Sequence, residues 1–199
     1  NGGAGALLAL AVYFLVDLQG QARAGNPLYV YLTLAFFGAM ASVNADTWAT
    51  ELGVLARETP RLITTGRPVA PGTSGGITRY GTLAALTGAA FIGVAAFVLI
   101  QAAALATSGS LLLTDLPIVV IAAAAGLVGS LFDSLLGATV QRIYWCDQCE
   151  KETERQVHSC GARTRPLRGW GWMNNDVVNF TASLVGGLLA GSLGLLIFV

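Results

Sequence analysis

Five long apolar stretches constrain the fold of this chain more than any other feature. A helix needs about 20 apolar residues to cross a bilayer. The stretches predict helices at residues 4–18, 27–57, 78–107, 116–142 and 176–199. Only 11% of the 199 residues are charged, whereas a soluble domain carries about 25%. The sequence therefore predicts an all-α polytopic membrane protein, with residues 1–199 forming a single transmembrane helical domain.

The ends of the helices have recognisable signals. Asn26 is expected to cap the second helix, with Pro27 in its first turn, and Pro60 to stop it. Asn175 is expected to cap the fifth helix. The chain opens Asn1-Gly2-Gly3 without Met, so we expect a truncated N-terminus with further helices upstream.

Basic residues concentrate in or directly beside the two long polar links, residues 58–77 and 143–175. The first set is Arg57, Arg61, Arg67 and Arg79, and the second is Arg142, Lys151, Arg155, Arg163, Arg165 and Arg168. Only Arg23 falls on the other side. The positive-inside rule places both links in the cytoplasm, which predicts a multi-pass cell-membrane protein with a cytoplasmic active face. Zero formal net charge argues against a nucleic-acid partner.

Carboxylates near the cytoplasmic helix ends are the first candidate site. Asp46 and Glu51 follow Asn44 at the end of the second helix, and Asp133 lies inside the fourth. Such groups are costly at the edge of hydrocarbon and usually functional, and Mg²⁺ takes one or two carboxylates plus substrate phosphates. We predict Mg²⁺ on Asp46 and Asp133, with Glu51 also catalytic. The alternatives are plain helix-end polarity for residues 44–51 and a structural hydrogen bond for Asp133.

The link between the second and third helices is rich in glycine and can bind an anion. Its turns allow successive N–H groups to converge, and a helix N-terminus follows. The predicted nucleotide and phosphate ligands here are Arg61, Arg67, Gly72, Thr73, Ser74, Gly75 and Gly76. Asn175, Asp176 and, one turn later, Asn179 of the fifth helix are expected to face the same pocket. The alternative for the link is an ordinary Gly/Pro turn.

Residues 143–173 contain every cysteine and the single histidine of the chain. The pattern Cys146-x2-Cys149-x8-His158-x-Cys160 predicts a zinc-ribbon-like Cys3His site. A closed set of four ligands indicates structural Zn²⁺, which would pin this cytoplasmic Cys/His loop over the active face. Unrelated surface thiols are the alternative.

The predicted chemistry lies on one side of the membrane. A transporter would place polar groups near the midplane, so this distribution favours an enzyme that uses a cytoplasmic substrate. The sequence itself leaves the reaction open.

Five strings in order give the chain a specific resemblance. They are residues 44–51, 60–65, 71–76, 133–138 and 175–179. With them the chain resembles an integral membrane family that contains the plant plastid phytyl-phosphate kinase and vertebrate transmembrane protein nineteen. The resemblance implies a kinase that converts a prenyl monophosphate to the diphosphate with CTP or another nucleoside triphosphate and Mg²⁺.

Under that hypothesis each candidate residue has a role. Asp46 and Asp133 hold Mg²⁺, and Glu51 is a further ligand or a base. Asn44 and Asn179 orient phosphate or nucleotide, while the arginines and residues 71–76 hold phosphates. The partners are a prenyl-phosphate lipid and a nucleotide, and homo-oligomerisation stays open. The rival functions are a CTP-dependent cytidylyltransferase that makes a CDP-activated lipid and a non-enzymatic lipid or prenyl-phosphate carrier.

Overall fold

The helices of this computed structural model follow the apolar stretches. The structure describes residues 2–18, 20, 25–111 and 113–199, without the side chain of Asp17. The helices are α1 (Gly3–Val12, continued by a π turn at Tyr13–Asp17), α2 (Pro27–Gly53), α3 (Arg79–Ser108), α4 (Pro117–Thr139) and α5 (Asn175–Phe198). Arg23, the cation predicted for the opposite side, lies outside the described residues.

Within the described ranges, four helices are long and apolar enough to cross a membrane, namely α2, α3, α4 with the short turn before it, and α5. The first apolar helix, Gly3–Val16, is shorter than a full span. These helices confirm the predicted all-α polytopic class.

The helix ends partly differ from the predictions. Asn26 caps α2 as predicted, because its Oδ1 accepts from the backbone N–H of Leu28 over 2.9 Å. α2 ends at Gly53 and α4 at Thr139, several residues before the predicted ends. Beyond α4, the N–H of Arg142 donates to Met173 O over 2.7 Å, so the chain pairs with a distant segment and leaves the helix.

The predicted cap of α5 was wrong by one residue. Asn174 is the cap: its backbone is extended, and its Oδ1 accepts from the N–H of Val177 over 3.0 Å. Asn175 is therefore the first helical residue. This shift leaves the Asn175 side chain to contact another part of the protein.

α2 lies at the centre of the bundle and packs against the four other helices. Buried alanines such as Ala41 and Ala45 line its contacts. A Cβ on Gly126 of α4 would lie 2.8 Å from the backbone carbonyl of Ala41, so only glycine permits this approach. The close packing of α2 and α4 brings their polar ends together.

Both long links fold into small antiparallel sheets. In the glycine-rich link (residues 58–77), β1 (Arg61–Leu62) pairs with β2 (Gly76–Ile77). The Cys/His loop (residues 143–173) forms a three-stranded sheet of β3 (Ile143–Cys146), β4 (Lys151–Thr153) and β5 (Arg165–Arg168), with β3 in the middle. Both links lie at the end of the bundle where α2 and α4 finish, which we call the polar end.

Candidate carboxylate and Cys/His sites

Three carboxylates from different parts of the chain meet at the polar end. Asp46 comes from α2, Asp133 from α4 and Glu154 from the residue after β4, and they are close enough for their charges to interact. Asp46 and Asp133 are half-buried. Oδ2 of Asp133 is buried and, among the described atoms, has no hydrogen-bond partner. Clustered carboxylates with an unsatisfied oxygen suit a divalent cation such as Mg²⁺.

Gln141 connects four segments at this cluster. Its side chain is 1% exposed, and its Nε2 donates to Glu154 Oε1 over 2.9 Å and to Asn175 Oδ1 over 3.4 Å. Its Oε1 accepts from Ser74 Oγ over 2.9 Å. The amide therefore ties α4 to the glycine-rich link, the Cys/His loop and α5. The buried polar atoms of the Gln141 amide are therefore hydrogen-bonded, and one of these bonds orients Glu154.

Sequence reasoning missed Glu154 and the role of Gln141. In the fourth helix predicted from the sequence (residues 116–142), Gln141 follows Asp133 at i+8 spacing and so shares its face; α4 ends at Thr139, but this signal was available. Glu154 lies between Cys149 and His158 with no spacing that sets it apart from other loop charges. Only the folding of the Cys/His loop over the polar end brings this carboxylate to the site.

The surroundings of Glu154 affect its protonation. Although the residue as a whole is exposed, desolvation of its carboxyl group raises its pKa above the usual range. The hydrogen bond from Gln141 and the charge of Arg155 act in the opposite direction. This carboxylate is therefore partly shielded from water, close enough to Asp46 and Asp133 for the charges to interact.

Arg168 joins the glycine-rich link to α4. Its Nη1 donates to Gly137 O over 2.9 Å and its Nη2 to Ser74 O over 3.4 Å, while Nη2 also lies 3.6 Å from Glu152 Oε2. Gly75 has a φ of +82°, and a Cβ there would lie 2.5 Å from the Ala138 backbone nitrogen. The glycine-rich link therefore packs directly against the end of α4 and is not an isolated surface turn.

The other predicted ligands of the link lie farther from these contacts. Arg61 and Arg67 are exposed, and Nη1 of Arg61 donates to Gly66 O within the link over 2.8 Å. Gly72 is exposed with a φ of +85°, and Gly76 is part of β2. Their contact with phosphate stays a prediction, as does that of Thr73.

The candidate residues near the end of α2 differ in their neighbours. Asn44 Nδ2 donates to Gly88 O on α3 over 2.7 Å, and Trp48 stacks on Phe91 with ring centroids 5.9 Å apart. This side of α2 therefore packs against α3. Asp46 lies on the adjoining face, close enough to Asp133 for their charges to interact. Glu51 is exposed near the end of α2, and its catalytic role stays a prediction.

The first turn of α5 contributes unequally to the site. Asn175 joins the Gln141 contacts, and Asn179, one turn later, is buried. Asp176 is exposed in the first turn of α5. The positive end of the helix dipole stabilises a carboxylate at this position. Asn175 thus connects the first turn of α5 to Glu154 through Gln141.

The four predicted zinc ligands are gathered in one place. The ligand atoms of Cys146, Cys149, His158 and Cys160 all lie within 4.8 Å of one another. The Sγ atoms of Cys146 and Cys160 are 3.7 Å apart, and His158 Nδ1 lies 3.1 Å from Cys160 Sγ. Cys146 and His158 are buried. The predicted Cys3His cluster is therefore confirmed as an arrangement of side chains.

Two thiols of this cluster have pKa values shifted in opposite directions, because the hydrogen bond with Cys160, followed by desolvation, raises the pKa of Cys149 to about 11. The hydrogen bond with His158, followed by that from the Ala162 backbone, lowers the pKa of Cys160 to about 6. Thiolates are the metal-binding form of cysteine, and three sulfurs with one imidazole are a common donor set for structural Zn²⁺.

Comparison with known proteins identifies the class of this helix bundle. The chain belongs to the integral membrane protein family DUF92, whose model matches residues 1–187. It is 37% identical over 161 residues to Protein PGR of Arabidopsis thaliana, covering 81% of this chain and 54% of that protein. It is 34% identical over 156 residues to an uncharacterized membrane protein of Methanocaldococcus jannaschii, covering 78% of this chain and 49% of the relative.

A third relative extends the match along the chain. An uncharacterized membrane protein of Synechocystis is 26% identical over 185 residues, which are 93% of this chain and 54% of the relative. The chain spans about half the length of these curated relatives. No solved structure matches it.

Proposed function

We propose that this protein is a membrane-embedded kinase that transfers a phosphoryl group from a nucleoside triphosphate to a prenyl monophosphate. The observation that carries the proposal is the cluster of Asp46, Asp133 and Glu154, in which a buried Asp133 oxygen lacks a hydrogen-bond partner among the residues that the structure describes. The prenyl acceptor and CTP as donor rest on the family resemblance of the five strings. Phosphoryl transfer requires mainly positioning and charge neutralisation, which such a cluster can provide.

The residues that would hold Mg²⁺ are Asp46 and Asp133, joined by Glu154. When bound, Mg²⁺ neutralises charge on the phosphates. Gln141 holds the Glu154 carboxylate in place, and Asn175 and Ser74 hold Gln141. The glycine-rich link would bind the donor phosphates through its turns and its hydroxyls.

The acceptor needs little help from a base. A phosphate monoester has a second pKa of about 6, so its oxygen is ionised near neutral pH. That oxygen forms a bond to the γ-phosphorus while the bond to the β–γ bridging oxygen breaks, and the nucleoside diphosphate leaves. Glu51 therefore fits a role as a further ligand better than a role as a base.

The apolar tail of the acceptor would lie among the helices. A cavity of about 280 Å³ between α1 and α2 is lined mostly by apolar side chains such as Val12 and Phe36, together with Tyr29 and Thr33. It borders the part of α2 that precedes Asp46 in the chain. We propose that the tail lies in the membrane on this side of α2, with the phosphate toward a cytoplasmic polar end rich in arginine.

The Cys/His loop would bind Zn²⁺ with a structural role. All four donors come from the protein and leave no position for a substrate, which is typical of structural and not catalytic zinc. Since Glu154 lies between the two halves of the ligand set, the metal would also stabilise the chain segment that supplies this carboxylate.

Product analysis tests the proposed reaction. Full-length protein in detergent with Mg²⁺, a prenyl monophosphate and CTP labelled on the γ-phosphate should yield labelled prenyl diphosphate and CDP. A cytidylyltransferase would instead release labelled pyrophosphate, and a carrier would bind the lipid without nucleotide turnover. Absence of transfer to any prenyl phosphate from any nucleoside triphosphate would overturn the proposal.

A further inference from the structure

A second cavity lies between the glycine-rich link and the Cys/His loop. Its volume is about 390 Å³, within the usual range of about 300–1,000 Å³ for small-molecule sites. Gly72 and Thr73 line one side, and Trp145, Lys151 and Glu152 line the other. None of these residues belongs to the carboxylate cluster, so the cavity is a separate candidate binding site.

The side chains of this cavity suit a flat heterocycle. Trp145, in the central strand β3, is half-buried and presents an indole on which a base can stack. Glu152 offers a carboxylate that accepts hydrogen bonds from amine or hydroxyl groups. Its charge is offset by Arg168, whose Nη2 lies 3.6 Å away. Lys151 adds a positive charge at the rim.

Short connections link the cavity to the carboxylates. Thr73 lines the cavity, and the next residue, Ser74, donates to Gln141 over 2.9 Å. Gln141 in turn donates to Glu154 over 2.9 Å. The cavity therefore lies near the acids, as a ligand with a ring at one end and phosphates at the other requires.

We propose that this cavity binds the base and ribose of the nucleoside triphosphate, with Trp145 as the stacking surface. The inference rests on the proposed function for the destination of the phosphates. It also assigns the Cys/His loop a part in donor binding, because β3, which carries Trp145, ends at the zinc ligand Cys146. The loop would thus form one wall of the donor site in addition to holding Glu154.

Two substitutions of Trp145 test whether nucleotide binding requires its aromatic ring or only a large apolar side chain. In full-length protein, Trp145→Leu should raise KM for the nucleoside triphosphate about 10- to 100-fold, as expected for loss of base stacking, with kcat and KM for the prenyl phosphate little changed. Trp145→Phe should recover most of the nucleotide affinity. The control is Trp170→Leu, since Trp170 is exposed, packs against Trp172 and is not among the residues that line the cavity. Unchanged KM for nucleotide in folded Trp145→Leu would overturn the inference.

Equilibrium binding of a non-hydrolysable nucleoside triphosphate distinguishes this inference from the proposed reaction. Loss of binding in Trp145→Leu, with retention in Trp145→Phe, supports the cavity even if no prenyl phosphate is phosphorylated. Transfer activity with equal nucleotide binding in all variants leaves the kinase intact and removes the cavity assignment. No nucleotide binding in the unmodified protein overturns both.

Discussion

Nε2 of Gln141 donates a hydrogen bond of 2.9 Å to Oε1 of Glu154. The bond joins the segment just past a membrane helix to a residue of the Cys/His loop, thirteen positions along the chain. It gives the polar end its third carboxylate, and it makes the Cys/His loop part of the candidate site.

Replacing Gln141 tests whether this bond positions Glu154. Gln141→Ala removes hydrogen bonds to Ser74, Glu154 and Asn175, and we expect kcat for phosphoryl transfer to fall about 10- to 100-fold, as for other groups that orient metal ligands. Apparent affinity for Mg²⁺ should fall with it. The matched control is Gln101→Ala, a buried glutamine in the far half of α3, which should keep kcat. Equal losses in both variants would point to general destabilisation.

Replacing Glu154 tests the three-carboxylate cluster directly. Glu154→Gln keeps the size of the side chain but removes its charge, so the Mg²⁺ concentration for half-maximal activity should rise at least about tenfold. Asp46→Asn and Asp133→Asn should reduce activity further, because their carboxylates lie on the membrane helices themselves. Full activity of Asp46→Asn would contradict the mechanism.

Asp147→Asn provides the control within the same loop. Asp147 pairs with Arg165 over 3.0 Å at a site where both side chains are largely exposed, and such pairs contribute about 0–1 kcal/mol. This substitution should leave the Mg²⁺ dependence unchanged. A shift as large as that of Glu154→Gln would show that any loss of loop charge has the same effect.

Substitution of Gly75 tests the close contact between the glycine-rich link and α4. Gly66 and Gly75 both have positive φ, but only a side chain at Gly75 meets the backbone of Ala138. Left-handed backbone costs a residue with a Cβ about 1–2 kcal/mol, so Gly66→Ala should lower the thermal unfolding temperature modestly. Gly75→Ala should lower it more and should also reduce transfer activity, because it separates the link from α4. Identical behaviour of the two variants would exclude this contact as the cause.

Metal content tests the Cys/His cluster. Purified protein should contain about one Zn²⁺ per chain by mass spectrometry, the stoichiometry of one four-ligand site. Cys149→Ser should lose most of it and become more sensitive to proteolysis within residues 143–173. Ser159→Ala lies between two ligands without supplying one and should retain the metal. Unchanged zinc in Cys149→Ser would contradict the assignment.

Much of the architecture could be read from local properties of the chain. Burial in lipid requires long apolar runs, so α2 to α5 appear directly in the sequence, and the cap at Asn26 needs only its own neighbours. The spacing of Cys146, Cys149, His158 and Cys160 likewise predicted their gathering. Asp46 and Asp133 stood out because carboxylates are costly at those positions.

The remaining features depend on contacts between distant residues. The sequence by itself determined the apolar helices, the basic links and the metal-type pattern, since hydropathy and ligand spacing are local. Only the tertiary structure decided that Asn44 donates to α3 and that Glu154 joins Asp46 and Asp133. The physical reason is packing: glycine contacts set how closely α2 and α4 approach, and that approach decides which polar groups share a site.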